Sequence, residues 1–217
     1  MHNSIENLIS IENELKSSLE SSKKVNIIAV SKTFGMQNIE PLINHGHIHF
    51  GENKVQEATD KWTEIKKSFP KINLHMIGKL QTNKVKYTVP LFDYIHSLDN
   101  LKLAEKIAIE QKKNNKFLKI FIQVNIGNED QKSGIQTKDL KSFFEKCLSL
   151  YKLNIVGLMC IPPNDDNTTI YFSEMQKLNN LLGLKELSMG MSADYKQAIK
   201  FDSTYVRIGS KIFGNRI

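Results

Sequence analysis

The chain has 217 residues, of which 40% are hydrophobic and 24% charged; that suits one globular domain with a full core and excludes a disordered or collagen-like chain. The net charge is +7, but lysines such as Lys61, Lys66 and Lys112 are spread along helical segments beside acidic residues. With no basic stripe interleaved with aromatics, a nucleic-acid partner is not expected.

The first predicted element is an extra N-terminal helix. Ile5, Leu8, Ile9, Leu15 and Leu19 recur at helical spacing and the pattern ends near Ser22. Strand-like and helix-like runs then alternate. The predicted strands are Val25–Val30, His47–Phe50, Asn73–Ile77, Tyr94–Ser97, Leu118–Asn125, Asn154–Met159, Glu186–Ser188 and Thr204–Ile208. Between them lie amphipathic segments at Met36–Asn44, Lys54–Phe69, Thr82–Val89, Leu101–Lys113, Thr137–Leu150, Thr169–Leu182 and Ala193–Lys200. Alternation of this kind implies parallel βαβ units, and eight strands in one chain point to a closed (β/α)8 TIM barrel, an α/β fold. An open doubly wound sheet is the alternative; the lack of a Gly-x-Gly-x-x-Gly after the first strand favours the barrel. No linker or repeat divides the chain, so residues 1–217 read as a single domain, and Pro162–Asn167 reads as a surface loop.

Processing and redox signals are absent. The N-terminus is polar and lacks a signal-peptide core, and no apolar run approaches transmembrane length, so a cytoplasmic location without membrane contact is expected. Cys147 and Cys160 have no metal or redox spacing and read as core residues.

Barrel chemistry sits at the C-terminal ends of the strands. The first strand ends in Ser31-Lys32-Thr33, and Lys32 shares side-chain parity with Ile28 and Val30. If that parity faces the interior, the amine lies above a dry layer, where desolvation favours the neutral form that imine formation needs. The second strand ends in Gly51-Glu52-Asn53. The seventh is followed by Ser192, placed to cap the next helix. The eighth ends in Arg207-Ile208-Gly209-Ser210, where a glycine without Cβ permits close approach of a phosphate and Ser210–Phe213 supplies a short extra helix. Only two of the 30 basic residues are arginine, Arg207 and Arg216. Arginine is the residue retained where a planar, permanently charged donor is needed.

Other patterns carry less. Gly209-Ser210-Lys211 is not a phosphate-binding Walker motif. His47 and His49 could share a strand face as metal ligands, but no cysteine or carboxylate in the strand completes a set. His75, near the end of the third strand, reads as a structural residue.

Seven ordered motifs carry a resemblance over nearly the whole chain. They are Ala29-Val30-Ser31-Lys32-Thr33; Phe50-Gly51-Glu52-Asn53 with Val55-Gln56-Glu57; His75 through Lys84; Lys132-Ser133-Gly134; Gly157-Leu158-Met159; Leu187 through Ser192; and Val206-Arg207-Ile208-Gly209 with Ile212-Phe213-Gly214. Together they resemble the pyridoxal 5′-phosphate homeostasis protein family. The resemblance implies a fold-type III barrel similar to the N-terminal domain of alanine racemase. It implies an aldimine between Lys32 and pyridoxal phosphate, with Arg207 facing the pyridine nitrogen. Ser192, Gly209 and Ser210 would hold the phosphate, and Asn53 and Met189 would line the ring. It further implies a non-catalytic carrier or regulator in vitamin B6 homeostasis, acting as a monomer, with pyridoxal-phosphate-dependent apo-enzymes as partners. Three positions depart from the family pattern: Lys79 stands where proline is frequent, Asp202 where glycine is common, and Ala193 where an acidic residue is frequent.

The alternative is an amino-acid racemase. Racemisation needs a base on each face of the substrate, and Lys32 provides one. Alanine racemase takes the other from a β-rich second domain, for which a chain ending at Ile217 is expected to have no room. Arg207 points away from enzymic turnover as well. An arginine only donates, so it leaves the ring nitrogen unprotonated and weakens the electron sink that transamination and decarboxylation require.

Overall fold

The computed structural model describes residues 2–18, 24–129 and 131–214; the expected end of the first helix near Ser22, and Arg216, fall outside them. Eight strands form among the described residues: β1 (Asn26–Val30), β2 (His49–Glu52), β3 (Asn73–Met76), β4 (Tyr94–Leu98), β5 (Lys119–Val124), β6 (Ile155–Cys160), β7 (Glu186–Met191) and β8 (Tyr205–Ile208). Each pairs in parallel with its chain neighbour, and β1 pairs with β8 to close the barrel, setting Ile28 opposite Arg207. The expected TIM barrel is therefore present.

The helices are α1 (Asn3–Ser18), α2 (Met36–Asn44), α3 (Val55–Ser68), α4 (Val85–Leu91), α5 (Leu101–Asn114), α6 (Leu140–Ser149), α7 (Thr168–Leu181), α8 (Tyr195–Ala198) and α9 (Ser210–Phe213). Segments expected to be continuous helix begin or end in 3-10 turns at Thr82–Lys84, Thr137–Asp139 and Ile199–Phe201. The extra helix α1 buries Leu8, Ile11 and Leu15 and packs on α9 and α2. Asn7 Nδ2 donates to the carbonyl of Ile212 at 3.0 Å, tying the first helix to the last.

Strand alternation sorts the core into two layers. Ile27 and Ala29 of β1 join the large apolar layer between strands and helices, whereas Ile28 faces the barrel centre with Tyr94, Phe121, Met159 and Tyr205. This is the period-2 geometry of a strand buried on both faces. Lys32 lies two steps along the inward parity, above Ile28 and Val30.

Strand β7 corrects the sequence reading. It continues to Met191, past the expected end at Ser188, and its register on β8 shifts between those two residues. Gly190, at φ +91°, makes the shift; a Cβ there would lie 2.6 Å from that of Ala198 and 2.9 Å from Tyr195 Cα. Only glycine meets both demands.

Candidate functional site

The turn that carries Lys32 is held from below by a buried carboxylate. Ser31 N–H donates to the Gly51 carbonyl at 3.0 Å, and its hydroxyl to Glu52 Oε1 at 2.8 Å. The same fully buried oxygen accepts from Trp62 Nε1 at 3.0 Å and pairs with Lys61 Nζ at 2.8 Å. Lys61 in turn donates to the carbonyls of Ser31 and Phe34 and to Glu57 Oε1. Glu57 accepts the Thr33 N–H, with Thr33 in the left-handed region at φ 69°. A β-branched residue there is strained, and the two α3 side chains fasten it from both sides. Burial pushes the Glu57 carboxyl up, but Lys61 and the Thr33 N–H outweigh it and hold the group below its ordinary value.

Arg207, 4% exposed, projects from β8. Its Nη1 donates to the carbonyl and hydroxyl oxygens of Ser188, each at 2.8 Å, and Nη2 donates to the Cys160 carbonyl at 2.8 Å. Three bonds at defined angles suit the planar fork of a guanidinium and not an ammonium. Burial lowers the pKa of Arg207 from its usual high value, and raises the Cys160 thiol to about 12. Both cysteines are buried, as expected.

Lys32 and Arg207 open on one cavity of about 760 Å³ at the C-terminal mouth of the barrel. Asn53, Ser192, Gly209 and Ser210 line it too, so six of the seven residues expected at the site meet there. Val30, Phe34, Ile77, Ile161 and Met191 give it apolar walls. The ring of Phe34 stacks on Phe213 at 4.9 Å. Gly78 brings the β3 loop against Asn53, whose carbonyl oxygen would be 2.3 Å from any Cβ at that glycine.

Two expectations need correction. Met189 is fully buried in the layer beneath the helices and is not among the cavity residues. The bulge at Gly190 advances the chain, so Met191 occupies the mouth instead. Ser192 does not cap α8. The N-cap is Asp194, whose Oδ1 accepts the Met191 N–H, while Ser192 Oγ accepts from Lys211 N at 3.4 Å and so leans toward α9. His47 and His49 are not joint metal ligands, because His47 Nε2 turns to the His49 carbonyl at 2.9 Å. Among the described residues no group of three histidine, cysteine or acidic side chains could hold a metal.

The residues present fit an anionic, ring-bearing ligand with a reactive carbonyl. Two cationic side chains line the cavity, and no carboxylate does so among the described residues. Asn53 Oδ1 is buried with no hydrogen-bond partner, a polar atom that a ligand would satisfy. Ser192, Gly209 and Ser210 gather at one rim, where barrels of this type bind phosphate.

Barrel and site together define a class, and the comparisons with known proteins agree with it. The model of the alanine racemase N-terminal domain family matches residues 7–216. A pyridoxal phosphate homeostasis protein of Aquifex aeolicus is 39% identical over 199 residues, covering 88% of this chain and 86% of that protein. The protein of the same name from Escherichia coli is 36% identical, covering 90% and 88%. PipY of Synechococcus elongatus, solved with pyridoxal phosphate bound, superposes with a TM-score of 0.87 at 33% identity, covering 97% of this chain and all of its own. An alanine racemase of Clostridium difficile shares the fold alone, at 16% identity and a TM-score of 0.74. The chain belongs to the alanine racemase N-terminal domain family and, within it, to the pyridoxal phosphate homeostasis proteins. No described helix is long and apolar enough to cross a membrane.

Proposed function

We propose that this protein binds pyridoxal 5′-phosphate covalently and reversibly through Lys32, and serves vitamin B6 homeostasis as a non-catalytic cytoplasmic carrier or regulator. The observation that carries the reading is the meeting of Lys32 and Arg207 on one cavity with no lining carboxylate. When bound, the cofactor supplies an aldehyde that condenses with a primary amine, and a pyridine ring that draws electrons when protonated. Lys32 is the amine within the cavity. Asn53 and Arg207 would bound the ring, and Ser192, Gly209 and Ser210 would receive the phosphate.

The same residues speak for holding the cofactor over turning a substrate over. Arg207 donates and cannot protonate the ring nitrogen further, because its own proton is not given up at neutral pH. Among the described cavity residues Lys32 is the one side chain able to act as a base, whereas racemisation needs two. A monomer that hands the cofactor to pyridoxal-phosphate-dependent apo-enzymes completes the reading.

Purified protein mixed with pyridoxal phosphate is expected to show a visible absorbance band. Borohydride should fix it, and peptide mass analysis should find the label on Lys32. Absence of the band, or a label on another lysine, overturns the binding claim. Loss of α-deuterium from alanine or serine at enzymic rates would replace the carrier by a racemase.

A further inference from the structure

The barrel interior is crossed by a continuous row of hydrogen-bonding side chains that ends on Arg207. His49 Nδ1 meets His75 Nε2 at 2.9 Å, His75 Nδ1 meets His96 Nε2 at 2.9 Å, and His96 Nδ1 meets Ser188 Oγ at 2.9 Å. Ser188 Oγ also receives Arg207 Nη1 at 2.8 Å. The row starts at the N-terminal end of β2, passes through β3, β4 and β7, and finishes under the cavity at β8. Its ring planes are fixed by stacking. Tyr94 lies on His75 at 4.1 Å, and Phe121 on His96 at 4.3 Å, each pair within 19° of parallel. His75, His96 and Ser188 are fully buried.

The protons in this row can be assigned from its end. Arg207 has only donors, so it occupies a lone pair of Ser188 Oγ. The Ser188 hydroxyl proton then needs an acceptor, and His96 Nδ1 is the one within reach. His96, kept neutral by burial and by the charge of Arg207, must therefore carry its proton on Nε2. That N–H donates to His75 Nδ1. His75, also kept neutral by burial, passes the same pattern to His49. The opposite arrangement, with protons on every Nδ1, would make Ser188 accept twice and strand its own proton in the core.

We infer that His49, His75 and His96 form a single-tautomer chain, all protonated on Nε2, which orients the Ser188 hydroxyl and thereby positions Arg207 in the cavity. The histidines touch neither ligand nor solvent at the mouth; they are positioning residues that act through Ser188. The role assigned to Arg207 toward pyridoxal phosphate rests on the function proposed above, whereas the tautomer pattern does not.

The first test uses the cofactor-free wild-type protein. Nitrogen-15 NMR of histidine-labelled protein at neutral pH is expected to give three rings with protonated-type Nε2 and bare-type Nδ1 signals. A charged ring, or a proton on Nδ1 of His75 or His96, overturns the chain whether or not any cofactor binds. The second test follows the visible band and affinity for pyridoxal phosphate in His96→Leu and His96→Asn. The leucine removes the acceptor for Ser188 and should weaken binding about tenfold and shift the band; the asparagine retains an acceptor and should recover most of both. Equal affinity and band position in wild type and His96→Leu overturns the positioning role. A wild type that binds no pyridoxal phosphate, yet gives the expected NMR pattern, refutes the proposed function and leaves the tautomer chain intact.

Discussion

At the scale of single residues, the site turns on the difference between arginine and lysine. Arg207 reaches the Ser188 carbonyl, the Ser188 hydroxyl and the Cys160 carbonyl at once. A lysine ammonium is a point donor and cannot span β6 and β7 in that way. Arg207→Lys is therefore expected to keep covalent attachment at Lys32 while weakening affinity for pyridoxal phosphate about tenfold, the size of losing a buried charged hydrogen bond; titration with borohydride trapping reads both, and an unchanged affinity would return this arginine to a compositional accident. The thiols give a second prediction. Burial holds Cys147 and Cys160 at about 12, so neither has appreciable thiolate at neutral pH. A thiol reagent should leave both unmodified in the native protein and label both in denaturant. Lys32 and Arg207 were legible in the sequence because strand parity and residue chemistry act locally. Met189 was not, because one glycine at positive φ changes the parity of all that follows it in the strand. The histidine row was not legible either. His49, His75 and His96 lie on three strands, and a one-dimensional reading meets each as an isolated histidine.

At the scale of elements, helix α3 is the clamp for the lysine turn. Its Lys61, Trp62 and Glu57 converge on the loop after β1, with Glu52 of β2 buried beneath. The motif Gly51-Glu52-Asn53 followed by Glu57 is visible in the sequence, but its purpose is not, since Glu57 and Lys61 reach back more than twenty residues to the β1 loop. Glu52→Gln keeps the shape and removes the charge. It leaves Lys61, whose side chain is 12% exposed, with Glu57 as its remaining ion-pair partner. Breaking one arm of a buried ion pair is expected to cost about 2–3 kcal/mol. Urea unfolding checks the stability, and slower trapping of pyridoxal phosphate by Lys32 would show that the turn has loosened; a variant as stable as wild type would mean that Trp62 and Ser31 alone hold the loop. The departures from the family pattern also read more clearly as structure. Asp202 adopts φ 60° at the end of the 3-10 turn before β8, a left-handed position where glycine is the easiest residue.

At the scale of the whole molecule, the barrel carries four neutral histidines in its interior or at its lower mouth, and this sets its response to acid. Burial holds His47 and His49 down to about 4, and His75 and His96 well below the ordinary value. In the unfolded chain each would take up a proton near pH 6.5. Below that pH the unfolded state binds more protons than the folded one, so stability is complete above about 6.5 and declines as pH falls toward 4. Each excess proton contributes a slope of about 1.4 kcal/mol per pH unit. Glu14 acts in a separate window. Hydrogen bonds from Tyr195 and Lys196 hold it at about 2, so its contribution is lost only below the ordinary carboxylate range. Between pH 6.5 and 4.5 the fall in stability should thus belong to the histidines. Urea midpoints measured at pH 7.5, 6.5, 5.5 and 4.5 are expected to be level across the first pair and to drop steeply across the last two. His49→Gln should reduce that slope by close to one proton. Level midpoints from pH 7.5 down to 4.5 would show that the interior histidines do not remain neutral, and would remove the physical basis for a proton-ordered barrel core.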